Sequence, residues 1–306
     1  MSVLQQGDTS RKEVGAASVF VTAQDGLKLH ARTYGRRSGL LPVVCLPGLA
    51  RTTADFDMLA AALSSDRRHP RRVVAVDYRG RGRSDHDHNP ENYSLVVELG
   101  DLLAVLTALE VGPAIFAGTS RGGILTMLLA TARPAVIAGA ILNDIGPVIE
   151  PKGLLRIKSY VGKLPQPKNF EEGAEILRRL FDAQFTKLDG GAWLAAAHRT
   201  WQERDGRLTP TYDVRLAHTL QGFDPERPLP SLWKEFDALV GEPLMVIRGA
   251  NSDVLSEATV AAMRERRRSL KTIVVPDQGH APLLAEPEVI RQISDFVADC
   301  ESGRQD

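Results

Sequence analysis

Two cysteines in 306 residues cannot build a disulfide framework. With Cys45 inside an apolar, strand-like run and Cys300 near the C-terminus, they point to a reducing compartment. Neither sign of charge is in surplus: 38 lysines and arginines stand against 38 aspartates and glutamates, so the balance supports neither a nucleic-acid nor a membrane-surface partner. No window holds the ~18 consecutive apolar residues of a spanning helix. The first twenty residues, MSVLQQGDTSRKEVGAASVF, contain no continuous apolar segment of the secretory kind. The expected location is the cytoplasm. There is no internal repeat or low-complexity tract, and the basic clusters Arg67 to Arg72 and Arg264 to Arg268 read as solvated surface.

With 43% hydrophobic residues, the chain can bury a large core. Its apolar residues come in short strand-like runs that alternate with helical patterns. LPVVCL (Leu41 to Leu46), RVVAVDY (Arg72 to Tyr78), AIFAG, VIAGAILND (Val136 to Asp144), EPLMVIRG (Glu242 to Gly249) and TIVVP (Thr272 to Pro276) read as buried strands, after a β-rich stretch from Ser18 to Tyr34. Between them lie helical patterns such as SLVVELGDLLAVLTALE, with Ser94 as N-cap and Leu95, Leu99, Leu102, Leu103, Leu106 and Leu109 on one face. The last helix has Pro287 near its start. Near-continuous Val/Ile/Leu strands separated by helices imply an α/β fold, a mainly parallel sheet with helices on both faces. Residues 147–239 differ: prolines punctuate them and apolar residues recur at helical spacing, around Ile176, Leu177, Leu180, Phe181 and Phe185. They read as an all-helical cap inserted in a core formed by residues 1–146 and 240–306.

The stretch AIFAGTSRGGILTMLL (Ala114 to Leu129) places a serine between glycines, after a strand pattern and before a helix pattern. A strand turning sharply into a helix leaves no room for side chains beside the turn, and Gly118 and Gly122 remove them. Gly-x-Ser-x-Gly in this context is a nucleophile elbow that lifts the Ser120 hydroxyl to the helix N-terminus, where unpaired N–H groups stabilise an oxyanion. A serine needs a general base, and the base an orienting carboxylate. Asp253 follows the strand EPLMVIRG within GANSD, and His280 follows TIVVP within PDQGHAP. Both lie past the C-terminal ends of strands, where ligands bind in such sheets.

These elements, together with DYRGRGRSD (Asp77 to Asp85), resemble the α/β-hydrolase superfamily, in its capped esterase, lactonase and carbon–carbon hydrolase branch. The resemblance spans all but the first fifteen or so residues and is weakest in the cap. It implies eight strands, Ser120 as nucleophile, His280 as general base and then acid, Asp253 as orienting acid, and the backbone N–H groups of Leu49 and Arg121 as oxyanion donors. It implies no cofactor and no metal. Pro47-Gly48 stands where the family commonly has His-Gly, which weakens assignment to aminopeptidase-like branches. Serine at 120 argues against the dehalogenase and epoxide hydrolase branches, which need an aspartate there.

Three further features have two readings. The Arg121 side chain could attract a substrate carboxylate or pair with an acid such as Asp144, but a structural ion pair directed away from the site is favoured. Asp144, at the end of VIAGAILND, competes with Asp253 for the acid role, and a structural or substrate-facing role is assigned to it. SDHDHN (Ser84 to Asn89), with His86 and His88, is a solvated loop rather than a metal site. In the cap, Trp193, Trp201, Phe181 and Phe185 read as packing with one or two candidates for an acyl pocket; His198 and His218 read as structural.

The expected activity is cofactor-independent hydrolysis of a small carboxylic ester or lactone through an acyl-enzyme on Ser120. Two alternatives stay open: a carbon–carbon hydrolase with the same triad, and a non-catalytic binding protein on the same fold. A homodimer is also left open.

Overall fold

Val-, Ile- and Leu-rich runs too short for helices pair here into one sheet. In the computed structural model, which describes residues 3–6, 16–227 and 229–302, the chain forms β1 (Val3–Gln6), β2 (Ala16–Thr22), β3 (Lys28–Tyr34), β4 (Val43–Leu46), α1 (Asp57–Ser64), β5 (Val73–Val76), α2 (Leu95–Ala108), β6 (Ala114–Thr119), α3 (Arg121–Ala132) and β7 (Ile137–Asn143). An insertion follows, with α4 (Pro151–Tyr160), α5 (Phe170–Phe181), α6 (Gly190–Thr200), β8 (Trp201–Arg204), β9 (Arg207–Pro210) and α7 (Trp233–Asp237). The core resumes with β10 (Leu244–Gly249), α8 (Glu257–Arg266), β11 (Lys271–Val275) and α9 (Pro287–Ser302). The N-terminal stretch read as free of a secretory segment falls largely outside the described residues, at 1, 2 and 7–15. Among the described residues, no helix is long and apolar enough to cross a membrane.

The main sheet runs β1-β2-β3-β5-β4-β6-β7-β10-β11. The eight expected strands are all present, and β1 adds a ninth at the edge, antiparallel to β2. From β5 to β11 every pairing is parallel. Side chains alternate between two cores, as the pleat requires. Val44, Leu46, Val74, Val76, Phe116 and Leu142 enter one core, while Val43, Cys45, Val73, Ala75, Ile115 and Ile141 enter the other. Successive strands are added in opposite directions from β4, with β5 on one side and β6 on the other, so the sheet has its switch point between β4 and β6. A crevice opens there beyond the strand ends.

Three expectations change. The insertion is not all-helical, because β8 and β9 form a hairpin. Its turn, Asp205-Gly206, takes positive φ at both residues (50° and 70°), the conformation that favours Asp-Gly between two short strands. The face of α2 also carries charge, since Glu98 and Asp101 are buried beside Leu102 and Leu106. Both are ion-paired, Asp101 to Arg79 and Glu98 to Arg81 and Arg121, as buried charges must be. Finally, the basic clusters are not wholly solvated. Arg71 is buried on the Leu41 carbonyl and Glu301, and Arg267 is buried on the Leu239 carbonyl.

Candidate active site

The serine stands where β6 turns into α3. Ser120 has φ 51° and ψ −113°, a conformation that non-glycine residues adopt only when the surroundings enforce it. Here the enforcement is steric. A Cβ on Gly122 would stand 2.1 Å from the Leu46 carbonyl oxygen of the neighbouring strand, and one on Gly118 would stand 2.5 Å from the backbone of Gly122 and Gly123. Gly123 is equally constrained, 2.3 Å from Ile145 Cγ2, a third requirement of the turn that the Gly-x-Ser-x-Gly pattern does not contain.

The Ser120 hydroxyl meets His280 Nε2 at 2.9 Å. On the other side of the ring, His280 Nδ1 lies 2.8 Å from Asp144 Oδ2. With Nδ1–H donating to the carboxylate, Nε2 is left to accept from the serine. Asp144 is fully buried, at 0% exposure, and three donors fix it: its Oδ2 also accepts from the Ser252 hydroxyl at 2.6 Å, and its Oδ1 accepts from the Gly249 N–H at 2.8 Å. The His280 backbone N–H donates to Gln184 Oε1 at 3.1 Å, so the insertion itself braces the histidine loop. Ser252 and Gln184 have no motif of their own in the sequence.

The expectation for Asp253 is corrected. Its carboxylate does not reach His280 Nδ1, which Asp144 occupies; it forms a two-point ion pair with Arg156 of α4, at 2.6 Å from Nε and 2.7 Å from Nη2. The cause lies one residue earlier. Ser252 points inward to Asp144 while its Oγ accepts from the N–H groups of Val254 and Leu255, and this tight turn sends Asp253 outward. α4 then closes upon it, with Gly153 so near that an added Cβ would stand 2.5 Å from the Asp253 carbonyl oxygen. Burial works to raise the Asp253 pKa, but hydrogen bonds and charge from Arg156 outweigh it and hold the carboxyl below its ordinary value.

Of the two expected oxyanion donors, Leu49 lines the cavity above Ser120, and Arg121 is the first residue of α3. Neither backbone N–H has a hydrogen-bond partner among the described residues. The Leu49 carbonyl is held by Arg81 Nε at 2.8 Å, so the DYRGRGRSD stretch anchors this loop. The Arg121 side chain turns away to Glu98 (2.6 Å) and the Tyr93 carbonyl. It faces neither Asp144 nor the cavity.

A cavity of about 210 Å³ lies over Ser120 and His280. The insertion supplies Ile157, Tyr160, Leu177, Phe181, Phe185 and Trp193 to its wall, whereas Trp201 is buried inside the insertion's own core. His198 stacks on Phe170, with ring centroids 3.8 Å apart. In SDHDHN, Asp87 pairs with Arg79, and His86 lies 3.7 Å from Asp213. Among the described residues, no group of three or more His, Cys, Asp or Glu is disposed to hold a metal ion.

Comparison with known proteins agrees with this fold. The chain is 36% identical to a 3-hydroxybutyrate-oligomer hydrolase of Cupriavidus necator over 281 residues, 89% of this chain and 94% of that protein. It is 26% identical to a 2-(acetamidomethylene)succinate hydrolase of Mesorhizobium japonicum, over 82% of this chain and 85% of that protein. The crystal structure of an alpha/beta hydrolase from Novosphingobium aromaticivorans superposes with a TM-score of 0.86 at 38% identity, covering 92% of this chain and 98% of that one. Residues 43–293 match the model of the alpha/beta hydrolase family. The chain therefore belongs to the alpha/beta hydrolase family, as a hydrolase of that family.

Proposed function

We propose that the protein hydrolyses small carboxylic esters through an acyl-enzyme on Ser120, with His280 as general base and then acid and Asp144 as the orienting carboxylate. The observation that carries this reading is the unbroken series Ser120 Oγ, His280 Nε2, His280 Nδ1, Asp144 Oδ2, at 2.9 and 2.8 Å. Nε2 takes the Oγ proton as Oγ bonds to the ester carbonyl carbon. The imidazolium so formed is stabilised by Asp144, and the proton then passes to the departing alkoxide. Water repeats the sequence against the acyl-serine. Oxyanion charge falls on the N–H groups of Leu49 and Arg121, each worth about 10²- to 10³-fold in rate.

The segment 147–239 acts as a cap that encloses a compact substrate. Its apolar wall suits a short aliphatic acyl chain. The similarity to the 3-hydroxybutyrate-oligomer hydrolase favours a short linear ester of hydroxy acids as substrate.

Labelling with a fluorophosphonate tests the chemistry. Wild-type protein should take one label and lose turnover of nitrophenyl butyrate, and Ser120→Ala should take none. An unlabelled wild type would favour the binding-protein alternative. Preferential turnover of a ring-fission dienoate would favour carbon–carbon cleavage.

A further inference from the structure

The wall of the cavity is largely apolar, and the charged side chains on it, Arg51, Asp55 and Arg199, do not balance. Arg51 follows the oxyanion loop, and the point where a Gly48 Cβ would stand is 3.4 Å from Arg51 Cγ and 3.8 Å from Ser120 Cβ. This arginine therefore begins beside the nucleophile. Its guanidinium is held by Asp55, with Nε to Oδ2 at 2.7 Å and Nη2 to Oδ1 at 2.5 Å, and by the Thr200 hydroxyl at 3.2 Å. Arg199, in the last turn of α6, comes to the same Asp55 from the cap side, at 3.3 Å. No hydrogen bond of the Arg199 side chain is present among the described residues. The other carboxylate close by, Asp57, is taken by Arg32 and by the Tyr34 hydroxyl.

Two guanidiniums thus share one carboxylate on the cavity wall, and Arg51 already occupies both of its oxygens. Arg51, Asp55 and Arg199 all line the cavity with Ser120. An arginine in a largely apolar enclosure, with its planar set of donors unspent, matches a carboxylate, which accepts two of them at once. We infer that Arg199, supported by Arg51, binds a free carboxylate carried by the substrate, so that the molecule cleaved at Ser120 is an ester with an ionised end rather than a neutral ester. The inference rests on the ester-hydrolase reading above and narrows it. In a linear dimer of a hydroxy acid, the ionised end belongs to the leaving alcohol. Attack by Ser120 then breaks the ester C–O bond, His280 delivers its proton to the alkoxide, and a free hydroxy acid departs from the Arg199 side while its partner stays on the serine until water releases it.

The test compares that dimer as free acid with the same dimer capped as its carboxamide, the readout being the ratio of kcat/KM for the shared inner ester. Wild-type protein should favour the free acid by about 100-fold or more, the scale of a buried charge pair. Arg199→Met should collapse the ratio to within about 5-fold, chiefly through KM, and Arg199→Lys should restore part of it. Because the ratio is taken within each variant, a general loss of activity cancels. A wild-type ratio near one, or an undiminished ratio in Arg199→Met, would overturn the carboxylate site. If nitrophenyl butyrate is turned over but neither dimer is, the site falls and the ester-hydrolase reading stands. If none of the three is turned over, both fall.

Discussion

The loops after β7 and β10 each carry an aspartate soon after the strand and put it to opposite use. Each loop follows a buried parallel strand, with Asp144 in one and Asp253 in the other. β7 and β10 are neighbours, with Asn143 beside Ile247 in the register, so the two loops leave the sheet side by side. Asp144 turns in the first residue past its strand, at φ 54°, and lands under the imidazole. Asp253 lies four residues past Gly249 in a turn whose inward position Ser252 has taken, and it ends in the grip of a cap helix. An aspartate after a strand therefore does not define an orienting acid; the hydroxyl beside it and the cation opposite decide which way it faces.

The largest effect that separates the two is on turnover. Asp144→Asn should lower kcat by about 10⁴-fold, because an amide cannot hold Nδ1 as a donor and leave Nε2 as a base, whereas Asp253→Asn should stay within about 10-fold in a steady-state ester assay. Stability should show the reverse ranking at an intermediate scale. Arg156→Met strands a carboxylate that is 11% exposed and should cost about 2 kcal/mol in denaturant unfolding, part of it recovered in Arg156→Met/Asp253→Asn. The sign with pH follows from the lowered Asp253 pKa. The pair contributes fully above the unfolded carboxylate value of about 3.9, and its contribution is lost as pH falls through the lower folded value. The Arg156→Met deficit should therefore shrink in acid. The smallest effect belongs to Ser252→Ala, which removes one of three donors to Asp144 and should lower kcat about 10-fold with KM little changed.

The strand runs were legible because a parallel sheet buried on both faces needs continuous apolar segments, and β4, β5, β6 and β7 supply them. The elbow was legible because its glycines answer to backbone contacts that no side chain can share. The carboxylate that meets His280 Nδ1 was not, because chain order and strand-end position are satisfied equally by Asp144 and Asp253. What distinguishes them is Arg156, 97 residues away in sequence from Asp253, and the orientation of one hydroxyl. The face of α2 misled for a related reason: its carboxylates are buried only because Arg79, Arg81 and Arg121 arrive from two other segments. The hairpin, by contrast, had a signal in Asp205-Gly206 that the surrounding helical pattern concealed.

The proton on His280 Nδ1 gives the most direct test of which carboxylate orients the base. In wild-type protein this proton should give a strongly downfield ¹H resonance coupled to the imidazole nitrogen. The resonance should persist in Asp253→Asn and be lost in Asp144→Asn. A signal that survives Asp144→Asn and disappears in Asp253→Asn would contradict the assignment of Asp144.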